Sequence, residues 1–594
     1  MEQLQHNGVL VPSRYQGKNL AIKIRGEELI LTQKQEEMAF AWVKKLGTIY
    51  VEDSVFTKNF YHDFSKELDL NVKPNDVDYY EVLSFIEKMH LWRANLSKEE
   101  KKKLSYKRKS VRETNKTYYG YAQVDGDKME IGNYTVEPSS IFIGRGKHPL
   151  RGHWKEGPRE EDIELNLSPN IRIPQGHWKG IVWQFNSMWI ARWRDKLTDK
   201  IKYVWLSESS ALKQKNDIEK FNKANELHKN IRKVQRYIIK NLNAENVKRR
   251  KIATVCFLIY HLKIRVGDEK DFDEADTVGA STLRSEHITF NSDGTVTFNF
   301  LGKDSIPYRF KAKLPANVIN NLKDFVAGAQ NTLFDGISSK HVNEFLNEIM
   351  TGLSAKVFRT FYASNAVRAK LEKTLIKSTD PQYIKKYTAR IANIEAAKIC
   401  NHRRSIPRTW KSSLEKKKKR LKILRNRAKR FQYKIQTKIK LRKMLYEEKL
   451  CKKEANLKVM NEKLLEYKQL LIKKKQKGEV VHSLEKRISQ KRKTIMQKKR
   501  RLKNYKIQHT EKMKKLNQRL DDRKQRDKVA IDKQKYRINL QKETRDYNLT
   551  TSLKSYIDPR IFYRWGRKHD CDWKKYYSKN LQKKFSWVES DSTS

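Results

Sequence analysis

Thr551-Ser552-Leu553-Lys554-Ser555-Tyr556-Ile557-Asp558-Pro559-Arg560 reads as a short helix that ends at a tyrosine, with Asp558-Pro559-Arg560 fixing the exit. Tyr556 is the candidate nucleophile. A phenol can attack a phosphodiester and hold the broken end as a phosphotyrosine. The transition state of that attack is more negative than the ground state, so the tyrosine needs cations around it. The chain has 27 tyrosines, and one alone decides nothing. The fold must bring cationic partners from far upstream, and the rest of the sequence is read for them.

Composition narrows the partner. Lys+Arg number 130 against 69 Asp+Glu, a formal net charge of +61, which points to a polyanion and most directly to nucleic acid. A hydrophobic fraction of 38% is enough for real cores, and 594 residues suggest three or four domains. Cys256, Cys400, Cys451 and Cys571 are far apart with no C-x-x-C pair, so neither a zinc site nor a disulfide framework is indicated. The longest apolar run, around 252–262, is about half a membrane span. The N-terminus lacks the apolar h-region of a secretory signal. A soluble, intracellular, DNA-associated monomer with no cofactor and no membrane contact is expected.

Residues 1–210 read as mixed α/β, with strands at 19–24 and 29–31 about an Arg25-Gly26 turn. A helix is expected over 33–46 with Met38, Ala41 and Val43 inward, then mostly helix over 78–117 and strands at 187–193 and 201–206. Ile143-Gly144-Arg145-Gly146-Lys147-His148-Pro149 joins glycines to cations, as phosphate or base contact requires, though basic turns look the same. Trp154, Trp178, Trp183, Trp189 and Trp193 read as a tryptophan-rich core rather than a stacking platform.

Residues 211–408 read as mainly helical. An apolar helix over 252–264 leads into Arg265-Val266-Gly267, where Gly267 suits a helix C-terminus. The acidic run Asp268, Glu269, Asp271, Asp273, Glu274, Asp276 lacks EF-hand register and reads as a solvated face. A hairpin (287–290, turn 291–294, 295–301) leads to Gly302-Lys303-Asp304-Ser305. No G-x-x-x-x-G-K-[ST] is present, so Lys303 is not a nucleotide-binding lysine. Either a solvated lysine or a proton donor to a leaving oxygen fits it. Lys356 and Arg359 share one face of a helix over 354–369. His402 follows a helix over 383–399.

Arg265, Lys303, Arg359 and His402 before a C-terminal Tyr556 follow the shared plan of type IB DNA topoisomerases and tyrosine recombinases, and the local strings separate the two. FIGRGKHP (142–149), ADTVG (275–279), LRSEHI (283–288), FLGKDSI (300–306), LSAKVFRT (353–360), ICNH (399–402), YIDPRI (556–561) and KKFSW (583–587) resemble the eukaryotic-type DNA topoisomerase I family, from about residue 10 to about residue 588. The family's acidic N-terminal extension has no counterpart in the sequence, and it is not part of the catalytic core.

The resemblance implies that Tyr556 forms a 3′-phosphotyrosine and frees a 5′-hydroxyl. It implies that Arg265 and Arg359 bind the non-bridging oxygens, that His402 donates to one of them, and that Lys303 protonates the departing oxygen. Arg145 and Asp304 match positions beside the cleaved step. With Lys147, His148, Lys356 and Ser555 they are the candidate DNA contacts. Neither ATP nor a divalent ion is implied. Three departures stand out: Ser555 where most of the family has Asn, Leu553-Lys554 for the usual Lys-Leu, and Asp268 for Asn. The first implies a weaker response to camptothecin-type poisons.

Between 409 and 545, apolar residues recur sparsely in a Lys/Arg-rich stretch. Leu414, Leu421, Ala428 and Ile435 fall every seven, with Leu424, Phe431 and Leu445 on a companion seam. Ile488, Ile495 and Leu502 resume the pattern after Gly478. This predicts two antiparallel helices turning near Lys477-Gly478. Trp565, Trp573, Tyr576, Tyr577, Phe585 and Trp587 are expected to pack the C-terminal segment, and 589–594 to be disordered.

The expected fold is α+β, a two-lobed DNA clamp. It has a mixed α/β cap lobe (1–210), a mainly helical, tyrosine-recombinase-like catalytic lobe (211–408), a coiled-coil linker (409–545) and a small helical C-terminal segment (546–594). The implied activity is relaxation of positive and negative supercoils. The alternatives are a site-specific recombinase, for which His rather than Lys356 would precede Arg359 by three, and a non-catalytic DNA-binding protein. The nucleus is implied for a eukaryotic host and the nucleoid for an archaeal one.

Overall fold

The structure is a computed structural model that describes residues 1–268 and 276–591. Residues 269–275 of the acidic run, and 592–594, lie outside the described residues, as does the side chain of Asp304. The chain divides into two compact units, one of residues 1–379, 392–403 and 548–594, the other of 380–391 and 404–547. It is an α+β protein with several small sheets, many helices and one long helix pair.

The first unit begins with small sheets. Ala21–Ile24 and Glu27–Ile30 pair about Arg25 and Gly26, both at positive φ, as a tight hairpin demands. The Gln33–Val43 helix starts at a Thr32/Gln35 capping box and buries Met38, Ala39, Trp42 and Val43. Ala41 is only half-buried, because the inward face runs through Ala39 and Trp42. The expected 78–117 helix is two, Tyr80–Asn95 and Lys98–Tyr119, the second restarted by a Ser97/Glu100 capping box. A four-stranded sheet orders Gly180–Val182, Ile163–Asn166, Trp189–Arg194 and Ile201–Trp205. Of the five tryptophans expected in a core, Trp189 and Trp193 are buried in its packing, while Trp154, Trp178 and Trp183 are half-buried.

The remainder of this unit is largely helical. Val247–Leu262 is nearly all core along residues 253–260. It ends earlier than the sequence suggests, at Leu262, and the residue that breaks it is Lys263 at φ 60°. Gly267 therefore does not cap this helix. Its φ of +94° serves a close approach, since a Cβ there would lie 2.8 Å from the Gly279 Cα. Past the expected hairpin comes a third strand: Thr295–Gly302 pairs with Ile306–Lys313 over their whole length. Phe298 stacks on Phe310, and Phe300 on Tyr308, across that pair.

The C-terminal segment packs on the long Ala211–Asn241 helix, where Phe221 meets Phe585 and Trp587. Trp565, Trp573 and Tyr577 are buried as expected. Residues 588–591 are helical rather than disordered, because Arg560 holds Asp591 at 2.9 Å and Trp573 donates to Glu589.

The second unit is dominated by the helices Trp410–Gln476 and His482–Glu543, of 67 and 62 residues, joined through Gly478 at φ 73°. Leu414, Ala428 and Ile435 are buried, as are Ile488 and Ile495. Leu445 is 45% exposed, against the expected seam. Beyond Ile435 the contacts step by eleven to Tyr446 and Leu457, a spacing nearer that of an unsupercoiled helix. Tyr446 stacks on His509 and Tyr505. Among the described residues no helix is long and apolar enough to cross a membrane.

Candidate active site

Four distant segments of the first unit meet at Tyr556. Tyr556 ends the Leu549–Ser555 helix, with its N–H bonded to the Ser552 carbonyl at 3.0 Å. Its own carbonyl accepts from Ser364 Oγ at 3.2 Å, and the same Oγ accepts from the Asp558 N–H at 3.1 Å. Asp558 then caps the Pro559–Lys568 helix through the Arg560 N–H and pairs with the Arg560 guanidinium. The tyrosine is thus fixed on both sides, and only 6% of it is exposed.

Arg265 Nη1 donates to the Tyr556 hydroxyl at 3.2 Å. Its backbone is zipped to the next segment: Ala280 N donates to Arg265 O and Ser281 N to Val266 O, each at 2.8 Å. Gly279 packs so closely there that a Cβ would come within 2.5 Å of the Gly267 backbone.

Arg359 projects from the Ala355–Lys373 helix, 3% exposed, its guanidinium carbon 5.1 Å from the centre of the Tyr556 ring. Nη2 donates to the Cys400 carbonyl at 2.6 Å and lies 3.5 Å from His402 Nε2. Nε and Nη1 are buried with no hydrogen-bond partner among the described residues. Buried guanidinium donors are costly to leave unpaired, so this arrangement calls for an anion.

His402 follows the Gln382–Ile399 helix after Asn401 at φ 48°. Its carbonyl accepts from Asn548 N at 2.7 Å, which ties it to the start of the Leu549–Ser555 helix. Its ring lies 5.1 Å from the Tyr556 ring, and Nδ1 is 2.7 Å from Ser552 Oγ. Burial, then the Arg359 and Arg265 charges, push its pKa down to about 3, so the ring is neutral.

Lys303 occupies the 3-10 turn Lys303–Ser305 between the two long strands and is exposed. It lines one cleft with Arg265, Cys400, His402, Asn548 and Thr551. The Gly144-Arg145-Gly146 loop lies directly against this turn, since a Cβ on Gly146 would overlap the Ser305 side chain. Arg151 holds that loop by donating to the Gly146 carbonyl at 2.7 Å while pairing with Asp53. Arg145 and Lys147 are exposed and His148 half-buried. Lys356 is exposed one turn before Arg359, and Ser555 is half-buried beside Tyr556. Two buried hydroxyls, Ser552 and Ser364, were not singled out by the sequence. Ser552 precedes Tyr556 by four, one helical turn, and that spacing is the only signal for it.

Similarity to known proteins runs along most of the chain. The eukaryotic DNA topoisomerase I DNA-binding fragment matches residues 1–206 and the catalytic core of the same family matches 209–435. The C-terminal topoisomerase domain matches 528–594. DNA topoisomerase 1 beta of Arabidopsis thaliana is 32% identical over 98% of this chain, which spans 58% of the plant protein. DNA topoisomerase 1 of Schizosaccharomyces pombe is 31% identical, with 98% of this chain and 75% of the relative covered. For the Homo sapiens DNA topoisomerase 1 the values are 30%, 98% and 70%.

Proposed function

The chain belongs to the eukaryotic DNA topoisomerase I family, a type IB family, and from that premise we propose that it relaxes positive and negative supercoils by nicking one strand through Tyr556. The Tyr556 phenol gives up its proton to solvent water, and its oxygen forms a bond to the scissile phosphorus as the bond to the 5′-oxygen breaks. Lys303 supplies the proton that the 5′-oxygen takes up. Arg265 and Arg359 hold the non-bridging oxygens, where a planar guanidinium matches phosphate geometry. His402 donates to one of them from Nε2. The phosphotyrosine keeps the energy of the ester, so the 5′-hydroxyl reverses the step after rotation without ATP.

The observation that carries this reading is the pair of unpartnered Arg359 donors buried beside a tyrosine hydroxyl that already touches Arg265. The family's DNA-binding fragment indicates DNA as the partner, and we assign base- and phosphate-side contacts to Arg145, Lys147, His148, Asp304, Lys356 and Ser555. Residues 1–210 and 211–408 act as the two lobes of a clamp on the duplex. The basic helix pair of 409–545, about 100 Å long at about 1.5 Å per residue, slows rotation by transient phosphate contacts. A monomer working on DNA, in the nucleus of a eukaryotic host, fits this scheme.

The test is a labelled duplex incubated with the chain and with Tyr556→Phe. The unaltered chain yields a covalent adduct on the 3′ end of the broken strand, and Tyr556→Phe binds the duplex with no adduct. An adduct that persists in Tyr556→Phe removes Tyr556 as nucleophile.

A further inference from the structure

We propose that Ser552 is a positioning residue whose hydroxyl lets His402 hold its proton on either ring nitrogen, so that with phosphate in the site the ring donates to it from Nε2. The inference rests on the roles given above to Tyr556 and His402.

Ser552 is fully buried, and its Oγ lies 2.7 Å from His402 Nδ1. A neutral imidazole has one donor and one acceptor nitrogen, and whatever faces one fixes the other. His402 is kept neutral by burial and by Arg359 and Arg265, so an imidazolium is not the donor. A neutral ring donates from Nε2 only when Nδ1 accepts, and an accepting Nδ1 needs a donor opposite it. A carbonyl or carboxylate in that place would hold the proton on Nδ1 and turn a lone pair toward the phosphate. A hydroxyl meets the need because it donates or accepts by rotating.

Both senses are used. In the DNA-free site Arg359 Nη2, which can only donate, stands 3.5 Å from His402 Nε2. That contact suits a bare Nε2, with Nδ1–H donating to Ser552. When a phosphate takes up the Arg359 donors, the polarity reverses: the Ser552 hydroxyl donates to Nδ1 and Nε2–H donates to the phosphate oxygen. The proton moves between the ring nitrogens by exchange with water, and the proton count of the site is unchanged. Because the Ser552 carbonyl also accepts from the Tyr556 N–H at 3.0 Å, one turn of helix seats the nucleophile and sets the histidine.

Single-turnover cleavage of a suicide duplex tests this with the full chain, Ser552→Ala, His402→Ala and the double variant, Tyr556→Phe serving as the blank. Ser552→Ala is expected to slow cleavage about tenfold, the worth of one hydrogen bond, with duplex affinity unchanged and a small fall in melting temperature. In the His402→Ala background the same substitution costs less than about twofold, because its effect runs through the missing ring. A serine that only packs the helix would misplace Tyr556 equally in both backgrounds. A loss of the same size with and without His402, or no loss in the single variant, overturns the proposal. If the unaltered chain forms no covalent adduct, the reading of Tyr556 itself fails, a result distinct from either.

Discussion

Arg359 makes a sharp demand: a guanidinium 3% exposed, with Nε and Nη1 unpartnered among the described residues. His402 beside it gives a pH signature. Its pKa lies near 3 in the folded chain and near the ordinary 6.5 when unfolded. Between those values the unfolded state binds more protons, so this group's contribution to stability is complete above about 6.5 and is lost as pH falls toward 3. Within the DNA-free folded site the ring stays neutral throughout that window. Cleavage under single turnover is therefore expected to show no step near pH 6.5 between pH 8 and 5; a loss with its midpoint there would mean that His402 titrates freely. The residues of the site were legible in unequal measure. Tyr556, Arg265, Lys303, Arg359 and His402 stand in distinctive strings and can be named in order. Ser364 and Ser552 could not be, because a buried hydroxyl has no pattern of its own and becomes visible only once its partners are placed.

Among the elements, the seat of Arg265 shows how a local rule can mislead. A glycine three residues past an apolar helix suggests a helix end, yet Lys263 takes the left-handed position and Gly267 instead admits the backbone of Gly279. Gly279→Ala places a methyl within 2.5 Å of the Gly267 backbone, an overpacking of about 1–3 kcal/mol. Since Ala280 N holds the Arg265 carbonyl, the strain is passed to Arg265, the proposed phosphate ligand. Cleavage should drop at least about tenfold, the rate equivalent of about 1.4 kcal/mol, with duplex affinity kept, whereas Gly180→Ala, with open space around it, should leave both unchanged. Equal behaviour of the two variants would contradict this account of the loop. The Ile306–Lys313 strand escaped the sequence reading because its alternation runs between exposed and half-buried positions, without a fully buried face. In the long helix pair the seven-residue seam was legible as far as Ile435. The step of eleven to Tyr446 was not, because it uses an aromatic in place of an aliphatic residue.

For the whole molecule, a net charge of +61 predicts DNA affinity that falls steeply with salt, since each neutralised phosphate releases counterions. Filter binding of a duplex at rising salt measures that slope, and a flat response would contradict an electrostatic hold. Affinity alone does not distinguish an enzyme from a DNA-binding protein. The α+β class, the helix pair and the C-terminal docking were readable from periodicity and composition. The convergence of segments nearly 300 residues apart on one tyrosine was readable only through the strings that named its partners. The most direct measurement is relaxation of a negatively and a positively supercoiled plasmid by the purified chain, without ATP and with excess EDTA, beside Tyr556→Phe. The account predicts a ladder of topoisomers from both plasmids with the unaltered chain and none with the variant. Bound but unrelaxed plasmid across a salt titration would contradict it.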